Sequence, residues 1–141
     1  MTNKRSIREL VHFARTDKTN KNKILLLGII TKEQAIIIYD KTGFSLVNYE
    51  RTIDTSAIRH IIKKHGNQEK EIMRGQIAVT DEDFELIHLI ALPENIISFA
   101  KNKLGNDCLL YKTKLNDTFF YAEEIRTGKK YLTLNTLYKR K

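Results

Sequence analysis

Apolar positions recur with a helical spacing through the first two thirds of the chain. This spacing predicts helices over residues 6–15, 32–41, 54–66 and 81–92. Thr31 and Gln34 have the spacing of a capping box at the start of the second helix. Pro93 follows the fourth helix and helps to end it. An apolar run of strand length covers residues 24–30, so a strand is expected among these helices.

After Pro93 the period changes to the alternation of a β-strand. Four strands are predicted, at residues 96–101, 108–114, 118–127 and 130–138. The turn signals between them are short, which implies an antiparallel meander. The predicted fold class is α+β, with N-terminal helices packed on a C-terminal four-stranded antiparallel sheet. One face of such a sheet must be covered by helices, which leaves the other open to a partner.

Length and composition narrow the class of protein. The 141 residues contain neither a repeat nor a linker segment, so a single domain over residues 1–141 is expected. No apolar run approaches the roughly 18 residues that span a membrane, and the first ten residues lack the apolar core of a signal peptide. The single cysteine, Cys108, excludes an internal disulfide. A cytoplasmic protein without a membrane partner is therefore expected.

The formal net charge of +8 is unevenly distributed. Residues 1–32 carry eight Lys and Arg side chains against two acids, and residues 121–141 carry six against two. Residues 80–94 carry five acids and no Lys or Arg. Basic surfaces of this kind favour polyanionic partners such as nucleic acids. The alternative is that the lysines reflect a general bias, because the chain is also rich in Asn and Ile.

Two histidines lie in the third predicted helix, within the segment DTSAIRHIIKKHG. Histidine titrates near neutral pH, and cations attract phosphate, so the segment suits a nuclease. His60 lies at the flank of the apolar stripe and is either functional or an ordinary surface residue. His65 lies on the stripe itself and is either functional or a core or helix-capping residue. The candidate phosphate-binding cations of this segment are Arg59, Lys63 and Lys64.

A metal site is not expected. His60 and His65 are five residues apart, which directs their side chains about 140° from each other on a helix. A zinc pair on a helix needs a spacing of three or four residues, and Cys108 is the only cysteine. We therefore expect neither a metal nor another cofactor.

The last predicted hairpin carries a second set of polar side chains. At its turn lie Arg126, Thr127, Lys129 and Lys130. Along its last strand lie Thr133, Asn135, Thr136 and Tyr138. With the basic residues 139–141 they form a candidate phosphate-binding strip, although threonine is also a good strand former and an arginine at a strand end is usually solvated. Five further aromatic residues are expected mainly in the core, with one or two able to stack on bases: Tyr111, Phe119, Phe120, Tyr121 and Tyr131.

Three segments together carry a family resemblance: DTSAIRHIIKKHG, RGQIAVTDEDFELI and EEIRTGKKYLTLNTLY. They resemble the phage-type nuclease domains of the barnase/EndoU/colicin/RelE-like superfamily, over roughly residues 25–138. The resemblance implies helices followed by a four-stranded antiparallel sheet, and ribonuclease activity without a metal.

The resemblance also implies roles for individual residues. His60 or His65 would be the general acid or base, and which of them serves as acid and which as base stays open. Arg126 would bind the scissile phosphate. The matching positions of the hairpin motif also include Thr127, Thr136 and Tyr138, the last two as donors to that phosphate.

The main functional hypothesis is an endoribonuclease that cuts by attack of the 2′-OH and leaves 2′,3′-cyclic phosphate ends. It would serve as a toxin or as an effector of a phage or mobile element, with the choice between tRNA and other RNA left open. A toxin of this kind would have an acidic immunity or antitoxin partner, and delivery to a target cell as part of a larger effector is left open. The alternative is a non-catalytic nucleic-acid-binding module of a mobile element. A nucleotidyl or ADP-ribosyl transferase is disfavoured, because the chain has no glycine-rich phosphate loop.

Overall fold

The computed structural model describes residues 4–141, which form five α-helices and one six-stranded sheet. The helices are α1 (Lys4–Thr16), α2 (Lys32–Thr42), α3 (Thr55–His65), α4 (Gln68–Met73) and α5 (Ile87–Ile90). The strands are β1 (Ile24–Ile29), β2 (Glu50–Asp54), β3 (Ile96–Lys101), β4 (Asp107–Lys114), β5 (Thr118–Arg126) and β6 (Tyr131–Arg140). Short 3₁₀ turns cover Asp81–Leu86 and Pro93–Asn95. The fold is therefore α+β, as predicted.

The prediction of a four-stranded antiparallel sheet is wrong in strand number and in direction. The strand order is β1-β2-β6-β5-β4-β3. The predicted meander of β3 to β6 is present, but β2 pairs in parallel with β6, where Arg51 lies opposite Leu132, and β1 pairs with β2. Residues 24–30 were expected to form a strand. Their place in the sheet depends on the β2–β6 contact, which joins positions about 80 residues apart.

The predicted starts of α2 and α3 are confirmed by their caps. Thr31 Oγ1 accepts from the backbone N–H of Gln34 at 3.2 Å, and Gln34 Oε1 accepts from the N–H of Thr31 at 3.0 Å. Asp54 Oδ1 accepts from the N–H of Ala57 at 2.7 Å. These bonds satisfy donors that the first turn of a helix leaves free. Short-range polar spacing thus placed both ends correctly.

The helix predicted over residues 81–92 is wrong in type and length. The segment forms a 3₁₀ turn, Asp81–Leu86, followed by the four residues of α5. Its fully buried side chains are Phe84, Ile87 and Ile90, spaced by three. Phe84 belongs to the 3₁₀ turn, and Ile87 and Ile90 belong to α5, so both parts of the segment contribute to the core.

Helix α4 was not predicted, because residues 67–74 read as a polar connection. Asn67 caps it by accepting from the N–H of Lys70 at 3.1 Å. The residue that α4 buries is Glu71. A helix that turns a carboxylate inward shows no apolar stripe, so hydrophobic periodicity could not find it.

Strands β4, β5 and β6 divide their side chains between two faces. One face is buried against the helices, with α3 packed on β6. Its buried residues include Leu109, Tyr111, Phe119, Tyr121, Leu132, Leu134 and Leu137. The other face is called the open face. Its half-exposed or exposed side chains include Lys112, Phe120, Arg126, Thr136, Tyr138 and Arg140.

A buried ion pair joins the added strands to the meander. Glu123, on the covered face of β5, accepts from Arg51 Nε at 2.5 Å and from Arg51 Nη2 at 3.0 Å. The hydroxyl of Tyr111 donates to the same carboxylate at 2.7 Å. Burial alone would lower the pKa of Arg51, but the charge and hydrogen bonds of Glu123 outweigh it and raise the pKa. The pair ties β2 to β5 across β6.

Within residues 4–141, none of the helices has both the length and the apolar character that crossing a bilayer requires.

Candidate active site on the open face

His65 lies at the C-terminal end of α3 and is nearly buried, with 7% of its side chain exposed. Its Nδ1 is 3.1 Å from Oε1 of Glu71, a residue of α4 with no exposed side-chain surface. The same Glu71 oxygen accepts from Arg74 Nη1 at 2.6 Å. Because an ionised carboxylate can only accept, the proton of this bond belongs to Nδ1, which leaves the lone pair on Nε2.

The charge state of His65 is set by opposing effects. Burial lowers its pKa, and the charge and hydrogen bond of Glu71 raise it. Burial prevails, so the pKa is lowered from its ordinary value of 6.5. The imidazole is therefore neutral at pH 7 and able to accept a proton at Nε2.

His65 continues a row of rings that crosses the open face. Phe120 and Tyr138 are cross-strand neighbours whose rings stack with centroids 4.8 Å apart and planes 7° apart. The His65 ring stacks on Tyr138 with centroids 5.6 Å apart. These three residues, Phe120, Tyr138 and His65, are called the ring row. It brings His65 of α3 into contact with the last strand of the sheet.

Thr136 lies on the open face beside the ring row. It precedes Tyr138 by two residues, which is about 6.6 Å along a strand, and it lies opposite the small side chain of Ala122. Both Thr136 and Tyr138 are half-exposed. Thr136 and Tyr138, two predicted site residues, thus share the face on which Tyr138 stacks against His65.

Arg126 lies at the other end of the open face. It pairs with Tyr131, seven residues before Tyr138, so roughly 20 Å of strand separates Arg126 from the ring row. Its Nε donates to Oε1 of Glu124 at 2.5 Å, and 44% of its side chain is exposed. The structure therefore does not bring Arg126 next to His65.

Glu124 is the anchor of this end of the face. Asn102 and Asn106 also donate to its carboxylate, and both lie between β3 and β4. Burial raises the pKa of Glu124, but the hydrogen bonds from Arg126, Asn106 and Asn102 outweigh it and lower the pKa. Glu124 thus stays charged and holds the Arg126 guanidinium in place.

His60 lies away from the ring row. It is exposed, and about 140° of helix rotation separates it from His65. Among residues 4–141, no hydrogen bond or ion pair involves its side chain. The expectation that His60 lies at the flank of the buried stripe is wrong, because the residues that α3 buries are Thr55, Ile58, Ile61 and His65.

The predicted phosphate-binding cations divide into engaged and exposed groups. Arg59 donates to the carbonyl oxygens of Ala14 at 3.0 Å and Lys21 at 3.2 Å, so it anchors the loop after α1. The exposed cations are Lys63 and Lys64 on α3 and Lys129 and Lys130 in the β5–β6 turn. Thr127 is also exposed in that turn. Lys63 and Lys64 therefore lie on a different element from Lys129 and Lys130.

Residues 28–141 match the family described as phage-Barnase-EndoU-ColicinE5/D-RelE like nuclease3. The chain belongs to this nuclease family. The resemblance inferred from three segments is thereby confirmed, and all three segments lie within the matched residues. No curated protein and no solved structure matched the chain.

Membership in this nuclease family makes a nucleic acid the expected substrate, which agrees with the charge of +8. Within residues 4–141, no three His, Cys, Asp or Glu side chains are grouped as metal ligands would be. The independence from metal remains a prediction, as do the roles of the site residues.

Sequence reasoning missed two residues of the candidate nuclease site. Glu71 is six residues after His65 in a polar segment, and no spacing rule connects a histidine at a helix end with the next helix. Lys112 lies beside Phe120 only because β4 and β5 are paired. Its alternation with buried Tyr111 marks an outward position, but not its neighbours.

Proposed function

We propose that this nuclease-family chain is a metal-independent endoribonuclease that leaves 2′,3′-cyclic phosphate ends. The observation that carries the proposal is the contact of His65 with both Glu71 and Tyr138. A carboxylate that holds a histidine through Nδ1 fixes the ring and leaves Nε2 ready to take a proton. This prepared base lies beside the hydroxyl groups of an open sheet face.

In the proposed reaction, Nε2 of His65 removes the proton of the 2′-OH, and the 2′ oxygen attacks the adjacent phosphorus. The hydroxyls of Thr136 and Tyr138 donate to the phosphate oxygens, where negative charge develops. The 5′ oxygen leaves with a proton from water, and the hydroxide that remains takes the proton held by His65, which restores the neutral imidazole and the water. A positioned base contributes about 10² to 10⁴ in rate, and a fixed donor to the developing charge about 10² to 10³.

Arg126 has a different role in this proposal from the one that the family resemblance implies. Because roughly 20 Å separates it from the ring row, we propose that it binds a phosphate further along the substrate. Thr127, Lys129 and Lys130 lie next to it in the β5–β6 turn and belong to the same contact. His60 takes no part in the reaction.

The basic charge and the proposed ribonuclease activity together suggest a biological role. A basic ribonuclease acting in the cytoplasm would serve as a toxin or as an effector of a phage or mobile element, with tRNA among its substrates. An acidic immunity or antitoxin protein would block it, because complementary charge speeds and orients association with a basic surface. Lys63 and Lys64 extend that surface on α3.

A second candidate function is a non-catalytic nucleic-acid-binding module. The observation that favours it is the burial of His65, whose side chain is only 7% exposed, as expected of a histidine that serves packing. In this case the ring row and the cations would bind nucleic acid without cutting it.

One experiment separates the two functions. Total tRNA and a mixed-sequence RNA are incubated in EDTA with wild type, His65→Gln and the matched control His60→Ala. We expect cleavage with cyclic phosphate ends by wild type and His60→Ala, and a loss of about 10² to 10⁴ in His65→Gln. Thermal melting checks that each variant is folded. Salt-sensitive binding by wild type without cleavage would establish the non-catalytic module instead.

A further inference from the structure

One end of the open face combines aromatic rings with cations. Its nine positions come from three neighbouring strands, as the cross-strand pairs show: Leu110, Lys112, Lys114, Thr118, Phe120, Ala122, Thr136, Tyr138 and Arg140. Three of the nine are cations and none is an acid. At the opposite end, by contrast, the charge of Arg126 is paired with that of Glu124. Negative charge is therefore favoured near the ring row as well as at the contact proposed for the β5–β6 turn.

The rings of this surface stand where a ligand can reach them. Phe120 and Tyr138 are half-exposed, whereas the neighbouring Tyr111, Phe119 and Tyr121 are buried on the covered face. Lys112 Nζ is 5.5 Å from the Phe120 ring centroid, and the Arg140 guanidinium is 5.1 Å from it. Phe120 has no polar group, and its position among cations suits a ligand that has both a flat apolar face and negative charge.

We propose that this surface binds an unpaired segment of RNA, with one base stacked on Phe120. Lys112, Lys114 and Arg140 would hold the flanking phosphates. In a duplex both faces of each base are covered by its neighbours, so a ring on a protein surface can stack only on an unpaired base. The assignment of RNA rather than DNA rests on the proposed function; the preference for unpaired bases does not.

The position of this surface agrees with the proposed reaction. Phe120, Tyr138 and His65 belong to the same row, so a base stacked on Phe120 would place the neighbouring phosphate toward Tyr138 and Thr136. The surface would thereby direct cleavage to loops, bulges and ends of folded RNA. Fully paired helices would be cut poorly.

The test uses an oligonucleotide with 2′-O-methyl riboses, which lacks the attacking hydroxyl and so cannot be cleaved. Its binding to wild type is measured by fluorescence anisotropy, alone and annealed to its complement. We expect the single strand to bind at least about fivefold more tightly, because stacking is worth roughly 5- to 100-fold in affinity for each base. Equal affinity for strand and duplex, or no binding of either, would overturn the proposal.

Variants of Phe120 test whether its ring stacks on a base of the ligand or only packs against neighbouring side chains. Phe120→Leu keeps an apolar side chain but loses the ring, and should weaken single-strand binding roughly 5- to 100-fold. Phe120→Tyr keeps the ring and should bind as wild type does. Tyr39→Ala removes an exposed aromatic from α2 and is the matched control, expected to bind unchanged. Wild-type affinity in Phe120→Leu would contradict stacking.

The salt dependence of binding tests the cations. Lys112→Ala should reduce the slope of log K against log salt by about one. An unchanged slope in both Lys112→Ala and Arg140→Ala would exclude phosphate contacts at this end. Because the oligonucleotide cannot react, these outcomes do not depend on catalysis. Ring-dependent binding together with an inactive wild type would refute the ribonuclease while leaving the surface established.

Discussion

His65 and Glu71 form a buried imidazole–carboxylate pair, with Nδ1 of His65 3.1 Å from Oε1 of Glu71. Arg74 shares the carboxylate oxygen and also donates to the backbone carbonyl of Lys64 at 2.7 Å. The end of α3 and the whole of α4 are thus held together around one histidine. Glu71 both orients the ring and opposes the loss of basicity that burial causes.

Removing the charge of Glu71 should make His65 less basic. In Glu71→Gln the side chain keeps its shape, but the effect that raises the pKa of His65 is lost while burial still lowers it. We expect the imidazole to titrate at a lower pH, and the acid limb of the cleavage profile to move down with it. The maximal rate should fall, because a weaker base takes the 2′-OH proton less readily.

Nuclear magnetic resonance titration of the imidazole signals measures this shift directly. An unmoved His65 titration in Glu71→Gln would show that the carboxylate does not act on the ring.

Stability should fall in mildly acidic solution because of the same histidine. The pKa of His65 is lowered in the folded state, so below its ordinary pKa of 6.5 the unfolded chain binds the proton more readily. The contribution is complete above that pH and is lost as the pH falls toward the folded-state pKa. His65→Gln removes the titrating group. Melting temperatures between pH 5 and 7.5 should therefore fall more steeply in wild type than in His65→Gln, and parallel curves would contradict the pKa direction.

Breaking the buried Arg51–Glu123 pair should be among the most damaging single changes. Arg51→Ala leaves the carboxylate of Glu123 buried without its counter-charge, so the free energy of unfolding should drop by about 3–5 kcal/mol. The double change Arg51→Met with Glu123→Leu should recover much of this loss. Urea denaturation provides the measurement.

A surface ion pair is the matched control for that experiment. Arg5 and Glu9 are 85% and 69% exposed, and exposed pairs contribute little because water screens them. Arg5→Ala should therefore leave the unfolding midpoint almost unchanged. A similar loss in Arg5→Ala and Arg51→Ala would mean that burial of the inner pair carries no special weight.

Arg126→Ala should affect substrate binding rather than the chemical step. Arg126 is anchored by Glu124 at the far end of the open face, so a phosphate bound there is not the one that reacts. We expect KM for a long RNA to rise while kcat changes little, and we expect Tyr138→Phe to lower kcat. A fall in kcat with unchanged KM in Arg126→Ala would restore its role at the scissile phosphate. Steady-state cleavage assays distinguish the two results.

The structure brings together some of the site residues that the sequence predicted and places others elsewhere. The candidate site predicted from the sequence includes His65, Thr136 and Tyr138, and the structure places these three around one end of the open face. It also includes His60, for its position at the flank of the apolar stripe and for the family resemblance, but His60 lies exposed on the opposite side of α3. Residue type indicates possible chemistry, but a helix directs side chains five positions apart in different directions.

The sheet also shows a difference between what local sequence patterns predict and what long-range contacts decide. Alternating residues predicted the meander because each of its strands is adjacent in sequence to its partner. The parallel β2–β6 contact pairs Thr52 with Thr133, and no local pattern in either strand identifies the other as its partner. The sheet therefore gained two strands that sequence periodicity could not assign to it.

By itself the sequence determined the α+β class, the cap of α2, the basic character and the nuclease family, because each depends on short-range spacing, on composition or on segments read in order. Only the tertiary structure decided that His65 meets Glu71, that Phe120 and Tyr138 form a row with it, and that Arg126 lies apart from them. These are contacts between separate strands and helices. Packing of the whole chain creates such contacts, and no short segment contains the information that specifies them.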